Sequence, residues 1–335
     1  MRPKMPSAFR YLTALIAGGA CLATYSAETL AQAYPSRPVR LVIQYAPGGP
    51  TDILGRAVAQ KLSEMLPEPV VIENRPGAGG VVGVASVSKA APDGYTLVLG
   101  DVGSMAINPA LYKSLPYNAR TDFTAVGTVA SGPIFLYVGA SVPARNLQEL
   151  IAIAKSKPGA LSYGSGGNGQ FPTHIGPELF RVKYGLDMLH VPYKGAGPAM
   201  IDAAAGRVAL VMTAGLAAAR PFLDSGKVRA FAITGGKRSA VMPDVPTFAE
   251  AGYPLPEIDA GTWFGLLGPA GLPREIVGKL SQTLGQALAA PDFVARLAAL
   301  TLEPMASTPE AFAEFIRSAG ETWAQIVKRT NITPE

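Results

Sequence analysis

The residues of this 335-residue chain best placed to do chemistry lie in glycine-rich turns rather than in paired acids or metal-ligand clusters. The first is Pro47-Gly48-Gly49-Pro50-Thr51-Asp52. It follows the apolar run Val39 to Tyr45 and precedes Ile53, Leu54, Ala57, Val58 and Leu62 at helical spacing. A turn of this kind lets main-chain N–H groups approach a ligand, and the helix that follows presents the positive end of its dipole. That combination suits a carboxylate. The sequence pattern equally fits a sharp turn with Thr51 or Asp52 capping the helix, and Asp52 is read as a capping or loop-orienting acid. Tyr45, just ahead of the turn, joins Pro47 and the residues after it as candidate ligand contacts.

The second turn, Tyr163-Gly164-Ser165-Gly166-Gly167-Asn168-Gly169, contains a literal G-x-G-x-x-G. A dinucleotide reading needs an acid closing the next strand, whereas Asp187 precedes the strand Met188 to Val191. Gly77 to Gly83 misses the same spacing by one residue, and no GxxxxGK[ST] is present. Hydrolase chemistry finds no G-x-S-x-G elbow, and any triad would have to use His174 or His190, neither in a nucleophile context. His174 is open to two readings, a ligand contact or a packing residue, while His190 sits in an apolar strand. Tyr193, in Val191-Pro192-Tyr193-Lys194-Gly195, offers a ring beside a cation and suits either an anionic or aromatic solute or a plain surface loop. With two histidines and one cysteine in the whole chain and no HExxH or acidic calcium loop, neither a metal nor a cofactor is expected.

Elements that would position these turns alternate along the chain. Strands are expected at Val39 to Tyr45, Val70 to Glu73 and Tyr95 to Leu99, with helices between them. The pattern restarts after Gly132-Pro133 with strands at Ile134 to Val138, Ala160 to Tyr163, Met188 to Val191 and Val208 to Met212. Such alternation implies α/β-wound parallel sheets. The proline-rich stretch from Pro243 to Pro256 reads as a crossing between two halves, and the remainder as mainly helical: Glu275 to Ala289, Phe293 to Leu300 and Pro309 to Lys328.

The first 33 residues read as an export signal. Arg2, Lys4 and Arg10 precede an apolar stretch from Leu12 to Ala23, and Ala31-Gln32-Ala33 fits small-x-small cleavage. An uncleaved anchor and an acylated Cys21 are the alternatives. Cleavage would leave 302 residues without cysteine, and Arg2, Lys4 and Arg10 against Glu28 carry +2 of the +5 net charge away with the signal. The basic residues that remain are scattered, without aromatic interleaving, which argues against nucleic acid as a partner.

Taken in order, Tyr34-Pro35-Ser36-Arg37-Pro38-Val39, the Pro47–Asp52 turn, Glu73-Asn74-Arg75-Pro76-Gly77-Ala78-Gly79-Gly80, Pro92-Asp93-Gly94-Tyr95-Thr96-Leu97, the Tyr163–Gly169 turn and Val191–Gly195 resemble the Bug-type substrate-binding proteins of tripartite tricarboxylate transporters. The likeness spans essentially residues 34–335. It implies an α/β, type II periplasmic binding fold with two lobes, each a mixed sheet flanked by helices: residues 34–134 with 255–335, and residues 135–254. It further implies a non-enzymatic, monomeric periplasmic receptor that closes on a small carboxylated solute and delivers it to membrane permease subunits. A ligand-sensing subunit for a membrane sensor kinase is the alternative role, ahead of a periplasmic hydrolase.

Carried onto this chain, solute contacts are expected from Gly48, Gly49, Thr51 and Asp52 in one lobe and Ser165, Gly166, Gly167 and Asn168 in the other, with Asp101, Gly103, Ser104 and Thr213 as further candidates. The chain departs from the family pattern at Gln170-Phe171-Pro172-Thr173, which separates the second turn from His174 and puts contacts from this segment in doubt. Asp101 also departs, placing an acid where small polar residues are common. That opens the site to a ligand amine or a second water network.

Overall fold

The computed structural model describes residues 34–330; the export signal and Cys21 lie outside the described residues. The chain begins with a strand-turn-helix unit. β1 (Val39–Ile43) is apolar and buried at Leu41, Val42 and Ile43, as a strand covered on both faces must be. It leads through the Pro47–Gly49 turn into α1 (Pro50–Ser63), which starts on a proline, carries Asp52 in its first turn and buries Leu54, Val58 and Leu62. β2 (Val70–Asn74), a short 3₁₀ turn, α2 (Val81–Ser88) and β3 (Thr96–Asp101) follow. After β3 come a one-turn π-helix and α3 (Asn108–Leu111), then β4 (Phe123–Gly132).

Pro133 separates β4 from β5 (Ile134–Gly139), where a second sheet begins. α4 (Leu147–Ser156) is capped by Asn146, whose Oδ1 accepts from Glu149 N at 2.9 Å. β6 (Leu161–Ser165) ends in the second glycine turn. Then come α5 (Ile175–Tyr184), closed by Gly185 at φ 62°, and β7 (Met188–Pro192). α6 (Ala196–Ala204), β8 (Leu210–Ala214), α7 (Arg220–Asp224) and β9 (Val228–Ile233) complete this half. The chain returns through β10 (Thr262–Pro269), α8 (Arg274–Ala289), α9 (Pro291–Ala299), β11 (Glu303–Pro304) and α10 (Pro309–Thr330).

Two sheets result, ordered β11-β4-β10-β3-β1-β2 and β7-β6-β8-β5-β9. The β2-β1-β3 and β7-β6-β8 segments are parallel. β10 runs antiparallel between β3 and β4, and β5 runs antiparallel between β8 and β9. The sheets are therefore mixed rather than purely parallel. β10 also corrects the expectation of a helical C-terminal region. Two glycines break its apolar run, because an added Cβ at Gly265 would lie 2.1 Å from the Phe312 ring and one at Gly268 would lie 2.5 Å from Leu272. Close packing on the covering residues demands glycine in the middle of a central strand, and glycine reads as a strand breaker.

Candidate functional site

The parallel strands of both sheets deliver their carboxyl ends to one place. There the Pro47–Gly49 turn meets the start of α6: an added Cβ on Gly197 would lie 3.1 Å from the Gly48 carbonyl carbon and 3.2 Å from Pro47 O. On the other side of the cleft Tyr112 Oη donates to Asn168 O at 3.0 Å. The two halves are thus closed on each other with main chain against main chain.

Between them lies a cavity of about 20 Å³, room for about one water, so a solute requires the halves to part. One half contributes Pro50 and Thr51 from the start of α1, Asp101 from the end of β3, and Thr262 and Phe264 from β10. The other contributes Gln170 to Thr173 ahead of α5, Ala196 at the start of α6, and Thr213 and Ala214 at the end of β8. The wall is therefore made of hydroxyls, an amide, helix N-terminal turns and apolar surface, with Asp101 as the one acidic or basic residue among the described residues that line it. Thr213 is fully buried and its Oγ1 meets no hydrogen-bond partner among the described residues.

A wider cleft of about 480 Å³ opens between Gln44, Tyr45, the Pro76–Gly80 segment and Gly166 to Asn168, with Tyr193 and Lys194 at its edge. Gln44 is fully buried, yet neither amide atom meets a partner at hydrogen-bonding geometry among the described residues, and the same holds for Tyr45 Oη. Both groups approach Asp101. Burial pushes the Asp101 carboxyl above its ordinary pKa, against the opposing pull of the Ser104 amide and hydroxyl, each 2.8 Å from Oδ1. Burial, with Asp101 next to it, also raises the Tyr45 phenol.

The sequence candidates divide accordingly. Thr51, Asp101 and Thr213 line the small cavity; Tyr45, Gly166, Gly167, Asn168 and Tyr193 line the wider cleft. Pro47, Gly48 and Gly49 lie at the contact between the halves, and Gly48 carries the left-handed φ of 85° that requires glycine. Gly103 sits beside Phe171, and Ser104 braces Asp101. Asp52 is 3% exposed, and its carboxylate accepts from Gly48 N at 3.0 Å, Asn74 Nδ2 at 2.9 Å and Arg56. Burial works against its ionised form, but those donors outweigh it and hold the pKa below the ordinary value.

His174 and Ser165 brace the second turn from behind. His174 is fully buried, and its Nδ1 accepts from Gly169 N at 3.0 Å. Its ring stacks on His190 at 4.2 Å, and His190 Nε2 lies 2.6 Å from Ser165 Oγ. Gly167 N donates to that same Ser165 oxygen at 3.2 Å.

Sequence reasoning missed Gln170, Phe171, Thr173, Thr262 and Phe264 as lining residues. The segment whose solute contacts were in doubt lines the small cavity. Thr173 Oγ1 accepts from Gly166 N at 2.7 Å and donates to Gln170 Oε1 at 3.0 Å, which folds the insertion over the turn. A polar residue just ahead of a helix was the available signal for Thr173; no signal pointed to β10.

Comparison with known proteins places this geometry. The family model described as the tripartite tricarboxylate transporter family receptor matches residues 54–332. Protein BugT of Bordetella pertussis is 35% identical over 306 residues, covering 91% of this chain and 93% of BugT. Among solved structures, a Rhodopseudomonas palustris protein with adipate superposes with a TM-score of 0.84 at 34% identity, covering 90% of this chain and 100% of the other. MatC from Rhodopseudomonas palustris with bound malate gives a TM-score of 0.81 at 32% identity, covering 88% and 100%. The two mixed sheets with helices on their faces are the two lobes of a type II periplasmic binding fold. With its sequence matched along nearly the whole described length and its lobes closing on a carboxyl-end cavity, the chain belongs to the tripartite tricarboxylate transporter receptor family of Bug-type solute-binding proteins.

Proposed function

We propose that this chain is a periplasmic receptor that closes on a small carboxylate-bearing metabolite and delivers it to the membrane subunits of a tripartite tricarboxylate-type transporter, without catalysing a reaction. Residues 34–134 with 255–335 form one lobe, residues 135–254 the other, and residues 1–33 direct export. The observation that carries the reading is the interlobe cavity, bounded by Thr51 at the start of α1, Thr173 ahead of α5 and Ala196 at the start of α6, and lined by Thr213, whose buried hydroxyl meets no partner among the described residues. Helix N-terminal turns and hydroxyls from both lobes offer donors to an anion, with no cation in the lining among the described residues. A carboxylate seated there draws the lobes together because each supplies part of its shell. The adipate and malate held by the two Rhodopseudomonas palustris relatives are solutes of this chemistry.

A thermal-shift screen of the exported form against dicarboxylates, tricarboxylates, acidic amino acids, aromatic acids and nicotinate-like compounds tests it. A true ligand at a hundred times its Kd stabilises by about 2.7 kcal/mol. Stabilisation by neutral sugars or esters, with none from any carboxylate, would overturn the reading.

A further inference from the structure

Asp101 gives the site a chemistry that a cradle for one anion does not require. Asp101 lines the cavity at the end of β3 and is 3% exposed. Lys, Arg and His are absent from the lining among the described residues. A second carboxylate of a bound solute would therefore face Asp101 with no cation between them, and like charges sharing a dry site repel.

The groups around Asp101 prepare it as an acceptor. Ser104 N and Ser104 Oγ each donate to Oδ1 at 2.8 Å, and Tyr45 and Gln44 approach from the side of β1. From the other lobe, Thr213 lines the same cavity with a fully buried Oγ1 that meets no partner among the described residues. The cavity thus combines one carboxyl acceptor with hydroxyl and helix-end donors. A zwitterion complements both, since its carboxylate takes the donors and its ammonium takes the acid.

We infer that the solute is an amino acid, its ammonium group paired with Asp101 and its carboxylate held by the donors of Thr51 and Thr213. This rests on the carboxylate-receptor reading above and narrows it. Unsubstituted dicarboxylates bind more weakly, because their second carboxylate lies against Asp101.

Calorimetric titration of the exported protein with two chain-matched pairs, aspartate against succinate and γ-aminobutyrate against glutarate, tests the assignment. The ammonium-bearing member of at least one pair is expected to bind at least tenfold more tightly. Asp101→Asn, which keeps an oxygen for Ser104, is expected to lose at least tenfold in that member's affinity while the matching dicarboxylate gains. Thr213→Val, which removes a carboxylate donor, is expected to weaken both members of a pair together. Dicarboxylates binding as tightly as or more tightly than their ammonium partners in both pairs would overturn the amino-acid assignment and leave the carboxylate reading standing. So would a folded Asp101→Asn protein with unchanged amino-acid affinity. Should Asp101→Asn fail to fold, the wild-type pairs decide alone. Absence of binding by every carboxylate tested defeats both readings.

Discussion

At the scale of the residue, acids that look alike in the sequence separate by environment. Asp52 and Asp101 each sit near a lobe turn, yet Asp52 collects Gly48 N, Asn74 and Arg56 while Asp101 forms cavity wall. Asp52 thereby ties the Pro47–Gly49 turn to the end of β2, and replacing it with Asn is expected to cost about 1.5–3 kcal/mol near neutral pH, the range for hydrogen bonds to a charged group. The pH dependence follows from the lowered pKa. A depressed carboxyl stabilises the fold fully above its unfolded pKa, about 3.9 for an unperturbed aspartate, and that stabilisation is lost as pH falls through the folded value. Denaturant melts of wild type and Asp52→Asn should therefore differ at pH 7, keep that difference down to about pH 4, and converge only as pH falls further through the lower folded value. A gap that holds constant through that fall would remove the ionised form from the explanation.

At the scale of the element, the beginning of α6 does two jobs. Gly195 enters it at φ 140°, a conformation other residues rarely adopt, and Gly197 inside its first turn lets the helix approach the Pro47–Gly48 main chain. A helix interior otherwise disfavours glycine by about 1 kcal/mol relative to alanine, so a different demand keeps it there. Gly197→Ala should preserve or raise the stability of the unliganded protein while weakening solute affinity several-fold, because its new Cβ lies 3.1 Å from Gly48 across the cleft. Paired thermal melts and titrations check this; equal affinity in the variant would mean that close approach here does not govern closure.

The strands are legible to different degrees for a physical reason. β1, β5 and β8 are near-continuous apolar runs and stand out as buried strands. β4 and β10 carry glycines where the sheet is pressed by its covering layer, as at Gly127 beneath Ser307 and Leu284, so their sequence resembles turn. Their identity as strands depends on neighbours more than a hundred residues away.

At the scale of the whole molecule, the chain passes between the lobes through tight main-chain contacts. Gly261, at φ 70°, would place a Cβ 2.3 Å from Gly132 O, and Gly215, at φ 59°, would place one 2.4 Å from Leu300 O. Any side chain there displaces one crossing from the other. Gly261→Ala is expected to destabilise by at least 1–2 kcal/mol, the approximate cost of a left-handed L-residue, and to change the open-to-closed balance. Denaturation together with small-angle scattering with and without solute reads both effects. Wild-type stability and compaction would show that the crossing tolerates a side chain.

The sequence by itself determined the two glycine turns, most of the alternating strands and helices around them, and the family resemblance, because each rests on neighbours a few residues apart: apolar period, turn chemistry and motif order. Tertiary structure alone decided which residues share the cavity. Thr51, Asp101, Thr173 and Thr213 come from four separate segments and meet only because two sheets point their carboxyl ends at one cleft. It also decided that His174 and Ser165 stand behind the turn as braces, since a histidine's role depends on whether its ring finds main chain or open cleft, and Gly169 N supplies the main chain. Local pattern encodes the turn; what the turn faces is fixed by packing across the lobes.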